Sequence, residues 1–582
     1  MSESIKRDIL FVFGSQACVP ADPLRAAKEM GCATTVLSSC IPCGLPDALV
    51  DRHLRADLND FVGLRRVVDE AQRNARFDGV VCYDDQAVPV VARLADHLKL
   101  AGNPIAAADA ARDKLLMKRR FEADNLRIAA YSIAGSEDAA VRWASGNGYP
   151  VVVKPLRGSA SQGVIRADSA DALREAYRRT RRIVRDFGLD TGEHTDADVL
   201  VEGYLPGDEF SVELLIQDGV PAELCVFEKP DPLVGPFFEE TLYVTPTRLD
   251  RQREIEIVDL ASRAVRALGL RTGVAHCELR VSEHGAFVLE VAARLIGGAC
   301  SRVFRSIFVE DIHRSVIRLA LGEPLAAPRR RSGAAGAMML PIPSEGRLEE
   351  IHGTDAAGRV PGINDVIIAV GPGDVIVPFP EQSCYVGFLT ASADTPGAVA
   401  GALRDAASLI ELRLATLDCE YWSRSIRDHQ EYVAPANLHV RTLGDYTLAQ
   451  AQEIVVPIIA WSQFGELPRE LALAEARTCV EWLVEGNRGR TSPACWLISD
   501  DRAVALGSRD ETQCFASCLG VGPGHRNTGI GKALVRSVMA VFARQGCETM
   551  QIFLDPRNTA ITSLCAALGF ERETLIEHPC RC

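Results

Sequence analysis

The sequence predicts an α/β protein whose N-terminal part is a doubly wound parallel sheet. Throughout residues 8–104, short apolar segments typical of strands alternate with amphipathic segments typical of helices. The strand-like segments are 8–13, 33–37 and 79–83, and the helical ones are 22–30, 58–75 and 87–98. Such alternation favours parallel strands with helices on both faces. The ligand crevice of such a sheet lies beyond the carboxyl ends of its strands, where Asp84 and Asp85 fall; a solvated turn explains these acids equally well.

Composition and charge narrow the class of protein further. The chain has 582 residues, of which 47% are hydrophobic and 24% charged, as in a globular protein. This length indicates about four domains. The formal net charge of −14 opposes nonspecific binding to nucleic acid or to an anionic membrane. The apolar runs are too short for a spanning helix, and the one at residues 9–13 is too short for a signal peptide. We therefore expect a cytoplasmic protein with no nucleic-acid or membrane partner.

The 18 cysteines do not indicate a disulfide framework, because such frameworks are typical of short secreted chains. Most of them lie in apolar segments, where a free thiol behaves as a small hydrophobic group. One Cys-x-x-Cys pair, Cys40 and Cys43, lacks the second ligand pair or helix start that a metal or redox role requires. We expect mostly reduced core residues.

A lysine-terminated strand and the loop after it form the first candidate site. Lys154 follows three valines near the end of segment 150–155, and residues 157–164, the glycine–serine loop, come next. Small residues let backbone N–H groups approach a triphosphate, and the lysine would supply positive charge to its phosphates. The small residues concerned are Gly158, Ser159, Ser161 and Gly163. The spacing differs from that of a P-loop, and a surface turn is the plain alternative.

Two acids on neighbouring segments form the second candidate site. Glu278 and Glu290 lie on strand-like segments 276–281 and 286–291, which a short turn joins. In an antiparallel hairpin their carboxylates can point to one face and share magnesium. Two solvated strand carboxylates are the alternative. Arg294 follows in an apolar setting, where it is a candidate phosphate clamp.

With these residues in order, the chain from about residue 8 to 420 resembles the ATP-grasp carboxylate–amine ligases, and most closely the bacterial L-amino acid ligases. Asp113-Lys114 and Val153-Lys154-Pro155 are similar to the family's two ATP-phosphate lysines, and Glu202-Gly203-Tyr204-Leu205 is similar to its hinge. Residues 333–411 resemble the C-terminal subdomain of the L-amino acid ligases. The resemblance implies ATP as a bound nucleotide and Mg²⁺ as the metal.

The resemblance also implies a role for each matching residue. Those implied to bind ATP are Lys114, Lys154, Ser159, Ser161, Gly163, Glu202, Tyr204, Leu205 and Glu209, the last at the ribose. Glu278 and Glu290 match the magnesium ligands, and Arg294, Lys154 and His276 match groups that face the transferred phosphate or the substrate. One departure is Ala292, which stands where the family has an asparagine ligand. Water can replace that oxygen, so we expect altered metal binding rather than loss of chemistry.

A second pattern lies in the last third of the chain. The glycine-rich stretch 522–531 precedes an amphipathic helical segment, 532–545, and free N–H groups at a helix start can hold a pyrophosphate. This stretch resembles the acetyl-CoA loop of the GNAT N-acetyltransferases. The resemblance implies acetyl-CoA bound by Arg526, Asn527, Thr528, Gly529, Ile530, Gly531 and Asn558. Cys565 stands where that family commonly has a general-acid tyrosine.

The sequence therefore predicts an ATP-grasp fold that carries the N-terminal parallel-sheet domain, followed by a GNAT-fold domain. The expected boundaries are 1–108, 109–204, 205–420, a linker at 421–436, and 437–582. The leading hypothesis is an ADP-forming ligase that joins a small carboxylate to an amine, fused to an acetyltransferase. Two alternatives are an acyltransferase with a regulatory ATP-grasp part and a nucleotide- and CoA-binding sensor without turnover. Related ligases often form dimers, so a homodimer is also open.

Overall fold

The structure is a computed structural model of the chain, and it divides into two compact units at residues 415 and 416, each of which is described by itself. The residues that it describes are 6–14, 21–39, 45–73, 75–186, 189, 192, 194–195, 197–382, 384–415, 420–425, 440–441, 495–499, 503–510, 513–521, 530–544, 547–554 and 559–573.

The first layer is a parallel sheet of four strands with helices on both faces. Its elements are β1 (Asp8–Val12), α1 (Ala21–Glu29), β2 (Ala33–Ser38), β3 (Arg52–Arg55), α2 (Phe61–Gln72), β4 (Gly79–Cys82) and α3 (Val88–Leu98). The strand order is β3-β2-β1-β4, and every pairing is parallel. Ile9 and Phe11 pack with α1, whereas Leu10 and Val12 pack with α2 and α3. Because β1 is buried on both faces, the predicted doubly wound sheet is confirmed.

The second layer begins with two helices, α4 (Ile105–Arg112) and α5 (Lys114–Ala123). Asp113 separates the two helices, and its carboxylate accepts hydrogen bonds from the N–H groups of Leu115 and Leu116. This N-cap starts a new helix at Lys114. A four-stranded sheet of order β5-β8-β6-β7 follows and carries two helices. Its elements are β5 (Tyr131–Ala134), α6 (Glu137–Asn147), β6 (Val151–Pro155), β7 (Ile165–Ala167), α7 (Ala170–Asp186) and β8 (Val199–Gly203).

The third layer is an antiparallel sheet of eight strands in the order β13-β12-β9-β10-β11-β14-β18-β16. Its strands are β9 (Asp208–Gln217), β10 (Val220–Lys229), β11 (Leu242–Thr245), β12 (Gly273–Ser282), β13 (Gly285–Ala292), β14 (Ala334–Leu340), β16 (Ile363–Ile368) and β18 (Gly387–Ala393). Helices α8 (Arg251–Leu268), α9 (Cys300–Ile307) and α10 (Ile312–Ala320) lie between them in the chain. The apolar faces of α8 and β9 share one core, which fixes the strands that carry the acidic residues.

The end of the first unit is a small sheet of order β17-β15-β19 with two short helices. Its elements are β15 (Gly346–His352), α11 (Thr354–Gly358), β17 (Val375–Ile376), α12 (Pro396–Ala407) and β19 (Glu411–Ala415). Helix α12 has two local signals at its start. Thr395 caps its start, and Pro396 occupies its first position, where proline is tolerated.

The second unit contains a sheet of seven strands in the order β21-β22-β23-β24-β25-β20-β26. The elements are β20 (Glu420–Ser425), β21 (Val440–Arg441), β22 (Cys495–Ser499), β23 (Ala503–Asp510), β24 (Gln513–Val521), α13 (Ile530–Arg544), β25 (Thr549–Leu554), α14 (Thr559–Ala567) and β26 (Glu571–Glu573). Only the β24–β25 pairing is parallel among those described.

The first residues of the expected linker, 421–436, form a strand in the structure. Strand β20 pairs along its whole length with β25, so residues up to Ser425 belong to the sheet of the second unit. The aromatic residues Tyr421 and Trp422 favour a strand, a local preference that the mixed charge of the stretch conceals. Across the part of the chain that the structure describes, no helix has the length and apolar character that crossing a bilayer would require.

Candidate functional site

One cavity of the first unit has a volume of about 640 Å³ and is lined by strands of the β5-β8-β6-β7 sheet and of the eight-stranded sheet, together with residues that follow β1 and β4. Most of the residues predicted to bind ATP, metal or substrate line it. These are Lys114, Lys154, Ser159, Ser161, Glu202, Tyr204, Leu205, Glu209, His276, Glu278, Glu290 and Arg294. They come from α5, the glycine–serine loop, five different strands and the segments that follow β8 and β13, so only the tertiary structure brings them together.

At one end of the cavity, Glu202 on β8 forms ion pairs with two buried lysines. Lys154 on β6 contacts one carboxylate oxygen, and Lys118 Nζ lies 2.8 Å from the other, Oε2. Burial would raise the pKa of Glu202, but the two lysines lower it to about 2, so the carboxylate is ionised. Sequence reasoning missed Lys118, although it lies one helical turn after Lys114 and therefore shares a face of α5 with it.

The glycine–serine loop has two distinct parts. Gly158 turns its carbonyl towards Lys114 Nζ, 3.2 Å away, whereas Ser159 and Ser161 line the cavity. Gly163 lies outside the cavity lining, and its N–H donates to Pro380 O at 2.9 Å. Its φ of +69° and the position of Pro155 Cγ, 3.1 Å from where a Cβ would stand, explain why this residue is glycine. The Gly163 amide is engaged within the fold rather than pointed at the cavity.

Glu278 and Glu290 are directly opposite each other in the β12–β13 hairpin, as the sequence predicted. Lys114 Nζ lies 3.0 Å from Glu290 Oε2, and Lys229 Nζ lies 2.7 Å from Glu278 Oε1. Two adjacent carboxylates that line a cavity suit Mg²⁺, which prefers oxygen ligands and keeps several waters. Ala292, opposite His276 at the end of the same hairpin, contributes no side-chain oxygen.

Lys229, which the sequence analysis missed, is the centre of an acidic cluster. Its Nζ contacts Glu240 and lies 2.6 Å from Glu209 Oε1, in addition to Glu278. Although burial opposes the charged form, these carboxylates raise the pKa of Lys229 well above its ordinary value. A sequence signal was available, since the apolar residues 224–227 come shortly before Lys229, as the apolar residues 151–153 come before Lys154.

Glu209 is held on both sides, because its second oxygen accepts a hydrogen bond from Arg280 Nε at 2.9 Å. Arg280 also donates to Leu205 O at 3.1 Å and to the hydroxyl of Tyr204 at 3.3 Å. One arginine therefore ties the hinge predicted at residues 202–205 to the eight-stranded sheet. Sequence reasoning did not identify Arg280, which has no motif of its own.

His276 lies between two carboxylates. Its Nδ1 is 2.5 Å from Glu213 Oε1, and its Nε2 is 3.3 Å from Glu278 Oε1. Burial alone would lower the pKa of His276, but the two carboxylates raise it to about 10, so the imidazole is protonated at neutral pH. Glu213 also accepts a hydrogen bond from the N–H of Ile296 at 3.2 Å, which fixes the segment after β13.

Arg294 contacts one of the two acids that follow β4. Its Nη2 and Nε lie 2.8 Å and 3.1 Å from Asp85 Oδ2. Burial would raise the pKa of Asp85, but Arg294 lowers it. The neighbouring Asp84 accepts hydrogen bonds from the N–H groups of Gly14 and Ala87, each at 3.0 Å. Both acids line the cavity and make hydrogen bonds within the fold, so they do not form a simple solvated turn.

The residues expected to bind acetyl-CoA are covered only in part. Arg526, Asn527, Thr528, Gly529 and Asn558 lie outside the described residues, whereas Ile530 and Gly531 form the first turn of α13. Cys565 is buried in α14, and burial raises the pKa of its thiol to about 12.

Comparison with known families supports both halves of this description. The model of the ATP-grasp domain matches residues 147–303, that of the ATP-grasp N-terminal domain 24–102, and that of L-amino acid ligase C-terminal domain 2 residues 338–415. The model of the GNAT acetyltransferase family matches 461–570. The chain thus contains an ATP-grasp domain with its N-terminal domain, an L-amino acid ligase C-terminal domain and a GNAT-family domain.

Individual relatives share less than a third of their residues with this chain over the matched regions. Alanine–anticapsin ligase of Bacillus subtilis is 24% identical over 49% of this chain and 62% of its own length. Carnosine synthase 1 of Gallus gallus is 28% identical over 57% of this chain and 37% of its own length, so this chain spans less than two thirds of both. The crystal structure of an L-amino acid ligase from Bacillus licheniformis superposes with a TM-score of 0.60 over 71% of this chain and 100% of that chain, at 24% identity, which shows a shared fold.

Proposed function

We propose that the first unit is an ATP-dependent ligase that forms ADP and joins a small carboxylate, such as an amino acid, to an amine. The observation that carries this proposal is the convergence of Lys114, Lys154 and Arg294 with the Glu278–Glu290 pair in one cavity. Lys229 adds a further cation through its contact with Glu278. Phosphoryl transfer from ATP needs cations around the phosphates and a metal site beside them, with little covalent chemistry from the protein.

The proposed reaction has two steps. A carboxylate oxygen of the first substrate attacks the γ-phosphorus of ATP, and the bond from that phosphorus to the β,γ-bridging oxygen breaks. The products of this step are an acyl phosphate and ADP. A neutral amine then attacks the acyl carbon, inorganic phosphate leaves, and the amine loses a proton to give the amide. Both steps build negative charge on phosphate oxygens, which fixed cations stabilise.

The charged residues divide this work by position. Lys114 and Lys154 neutralise the nucleotide phosphates, and Arg294 exchanges Asp85 for the substrate carboxylate or the transferred phosphate. The protonated His276 would donate from Nε2 to the same oxygens in exchange for its 3.3 Å contact with Glu278, while Nδ1 stays paired with Glu213. Glu278 and Glu290 would hold Mg²⁺, which supplies further charge neutralisation when bound.

The nucleotide base would lie at the Glu202 end of the cavity. An ionised carboxylate accepts hydrogen bonds, so Glu202 selects a base with an exocyclic amino group, such as adenine. Tyr204, the Leu205 backbone and Glu209 extend from it along the hinge towards the ribose.

For the second unit we propose acetyl transfer from acetyl-CoA to an amine, on the basis of the GNAT-family match and the helix start at Ile530. One metabolite that is both ligated and acetylated would explain why the two units share a chain. A homodimer stays a prediction that light scattering would test.

The test incubates the full chain with ATP, Mg²⁺, acetyl-CoA and pooled amino acids, and follows ADP release and products by mass spectrometry. Formation of an amide product with one ADP released per amide supports the proposal. Absence of ADP and phosphate release with every pair of substrates contradicts it. Glu290→Ala separates the alternatives, since product formation that survives this change would indicate an acyltransferase with a regulatory ATP-grasp part. Tight binding of ATP and acetyl-CoA without turnover would indicate a sensor.

A further inference from the structure

The turn that follows β17, residues 379–382, contacts the glycine–serine loop from outside the cavity; we call this turn the clasp. The backbone N–H of Gly163 donates to Pro380 O at 2.9 Å, and the side-chain Nε2 of Gln162 donates to the backbone oxygen of Glu381 at 2.7 Å. Gln162 and Glu381 are both buried. Two bonds between segments more than 200 residues apart thus hold the end of the loop.

A charged fork reinforces the same contact. Arg179 on α7 donates from Nε and Nη2 to the two carboxylate oxygens of Glu381, at 2.7 Å and 2.9 Å. Helix α7 also holds the loop directly, because Thr180 Oγ1 donates to Gly163 O at 2.9 Å. Bidentate arginine–carboxylate pairs are among the stronger hydrogen-bonded contacts, and here the carboxylate is buried. The clasp, α7 and the loop therefore form one connected set of contacts.

The clasp leads directly to the substrate end of the cavity. The ring of Phe379 lies 5.3 Å from that of Tyr385, which lies 6.0 Å from that of Phe388. Tyr385 and Phe388 line the cavity together with Arg294. Contacts at the substrate end can therefore reach the loop through packed aromatic rings.

We propose that Glu381 and Arg179 are positioning residues that hold the glycine–serine loop closed over the cavity and so keep water from the activated carboxylate. This inference rests on the proposed ligase function. An acyl phosphate that meets water gives back the carboxylate and inorganic phosphate, which consumes ATP without forming an amide. Closure of a loop over a reactive intermediate prevents that loss.

Hydrogen exchange measured by mass spectrometry on the full chain tests the clasp without any need for turnover. The experiment compares the proteins with ATP and Mg²⁺ present. Backbone amides of residues 156–164 should exchange about tenfold faster in Glu381→Gln and in Arg179→Gln than in the wild type, because glutamine at either position cannot form the bidentate ion pair. Arg174→Gln is the matched control, since Arg174 lies on the same helix but pairs with Asp138 of α6. Equal exchange in all four proteins overturns the proposal.

The ratio of ADP released to amide formed tests the consequence. This ratio should stay near one in the wild type and in the control, and rise severalfold in both clasp variants. The double variant Glu381→Arg/Arg179→Glu, in which the two charges are exchanged, should return the ratio to near one. A rise in exchange with an unchanged ratio overturns the role in excluding water. If Glu381→Gln does not fold, Arg179→Gln alone decides, because Arg179 is partly exposed. If the wild type releases no ADP with any substrate, the ligase proposal fails while the exchange experiment still decides on the clasp.

Discussion

Lys118 Nζ lies 2.8 Å from Glu202 Oε2, and both side chains are almost fully buried. Lys154 contacts the other oxygen of the same carboxylate, so two cations surround one anion at the Glu202 end of the cavity. Burial lowers the pKa of Lys118, whereas the pair of lysines lowers that of Glu202 to about 2. The arrangement keeps an acceptor ionised in a dry setting, which is what recognition of an amino group requires.

Lys118→Met should weaken ATP binding and lower stability. The change leaves Glu202 with one lysine instead of two, and a buried charge that loses a partner costs about 1 to 3 kcal/mol. Titration calorimetry with ATP and denaturant unfolding measure the two effects. Lys99→Met, at an exposed residue, is the control and should change neither. Unaltered ATP affinity in the Lys118 variant would show that this lysine does not act on the nucleotide site.

The stability of the first unit should fall as the pH rises from about 6.5 to 10. His276 has its pKa raised from the ordinary value of 6.5 to about 10, against the effect of burial, by Glu213 and Glu278. A group whose folded pKa is the higher one stabilises fully below its unfolded pKa, and that stabilisation is lost as the pH passes the folded value.

Denaturant unfolding at a series of pH values checks this dependence in the wild type and in His276→Gln. The variant should be less stable at pH 6.5 and show a flatter profile from pH 7 to 10. Parallel profiles for the two proteins would mean that His276 does not carry the extra proton.

Ala292→Asn should increase the affinity for divalent cations. Ala292 ends β13 two residues after Glu290, on the same face of the strand, and an asparagine there adds one carbonyl oxygen to the two carboxylates. We expect Mn²⁺ to bind severalfold more tightly in the presence of ADP, as measured by electron paramagnetic resonance. Ala292→Leu, which adds volume without an oxygen, is the control, and equal gains in both variants would contradict a ligand role.

Cys565 should resist alkylation in the native protein. It is buried, and burial raises the pKa of its thiol to about 12, so little thiolate forms at pH 8. Cys384, which is exposed, provides the comparison within the same chain. Iodoacetamide at pH 8 should label Cys384 before Cys565, as peptide mass spectrometry would show. Early labelling of Cys565 would instead indicate an accessible, reactive thiol in the GNAT-family unit.

The acidic hairpin was predictable because its information is local. Glu278 and Glu290 flank a short turn, so an antiparallel pairing alone places them opposite each other. Lys154 and the glycine–serine loop were predictable for the same reason, because an apolar strand, a lysine and small residues follow one another in the sequence. The parallel sheet at the N-terminus followed from alternation over many residues, a signal that no single contact can reverse.

The partners of these residues were not predictable, because they come from elements far apart in the chain. Asp85 and Arg294 meet across 209 residues, and Lys118 reaches Glu202 only when α5 packs beside the four-stranded sheet. Strand β20 was mistaken for linker because its pairing with β25 is a long-range contact. The sequence by itself therefore determined which side chains carry charge and on which elements they lie. Only the tertiary structure decided which charges neutralise each other, because burial and packing distance fix the strength of each pair.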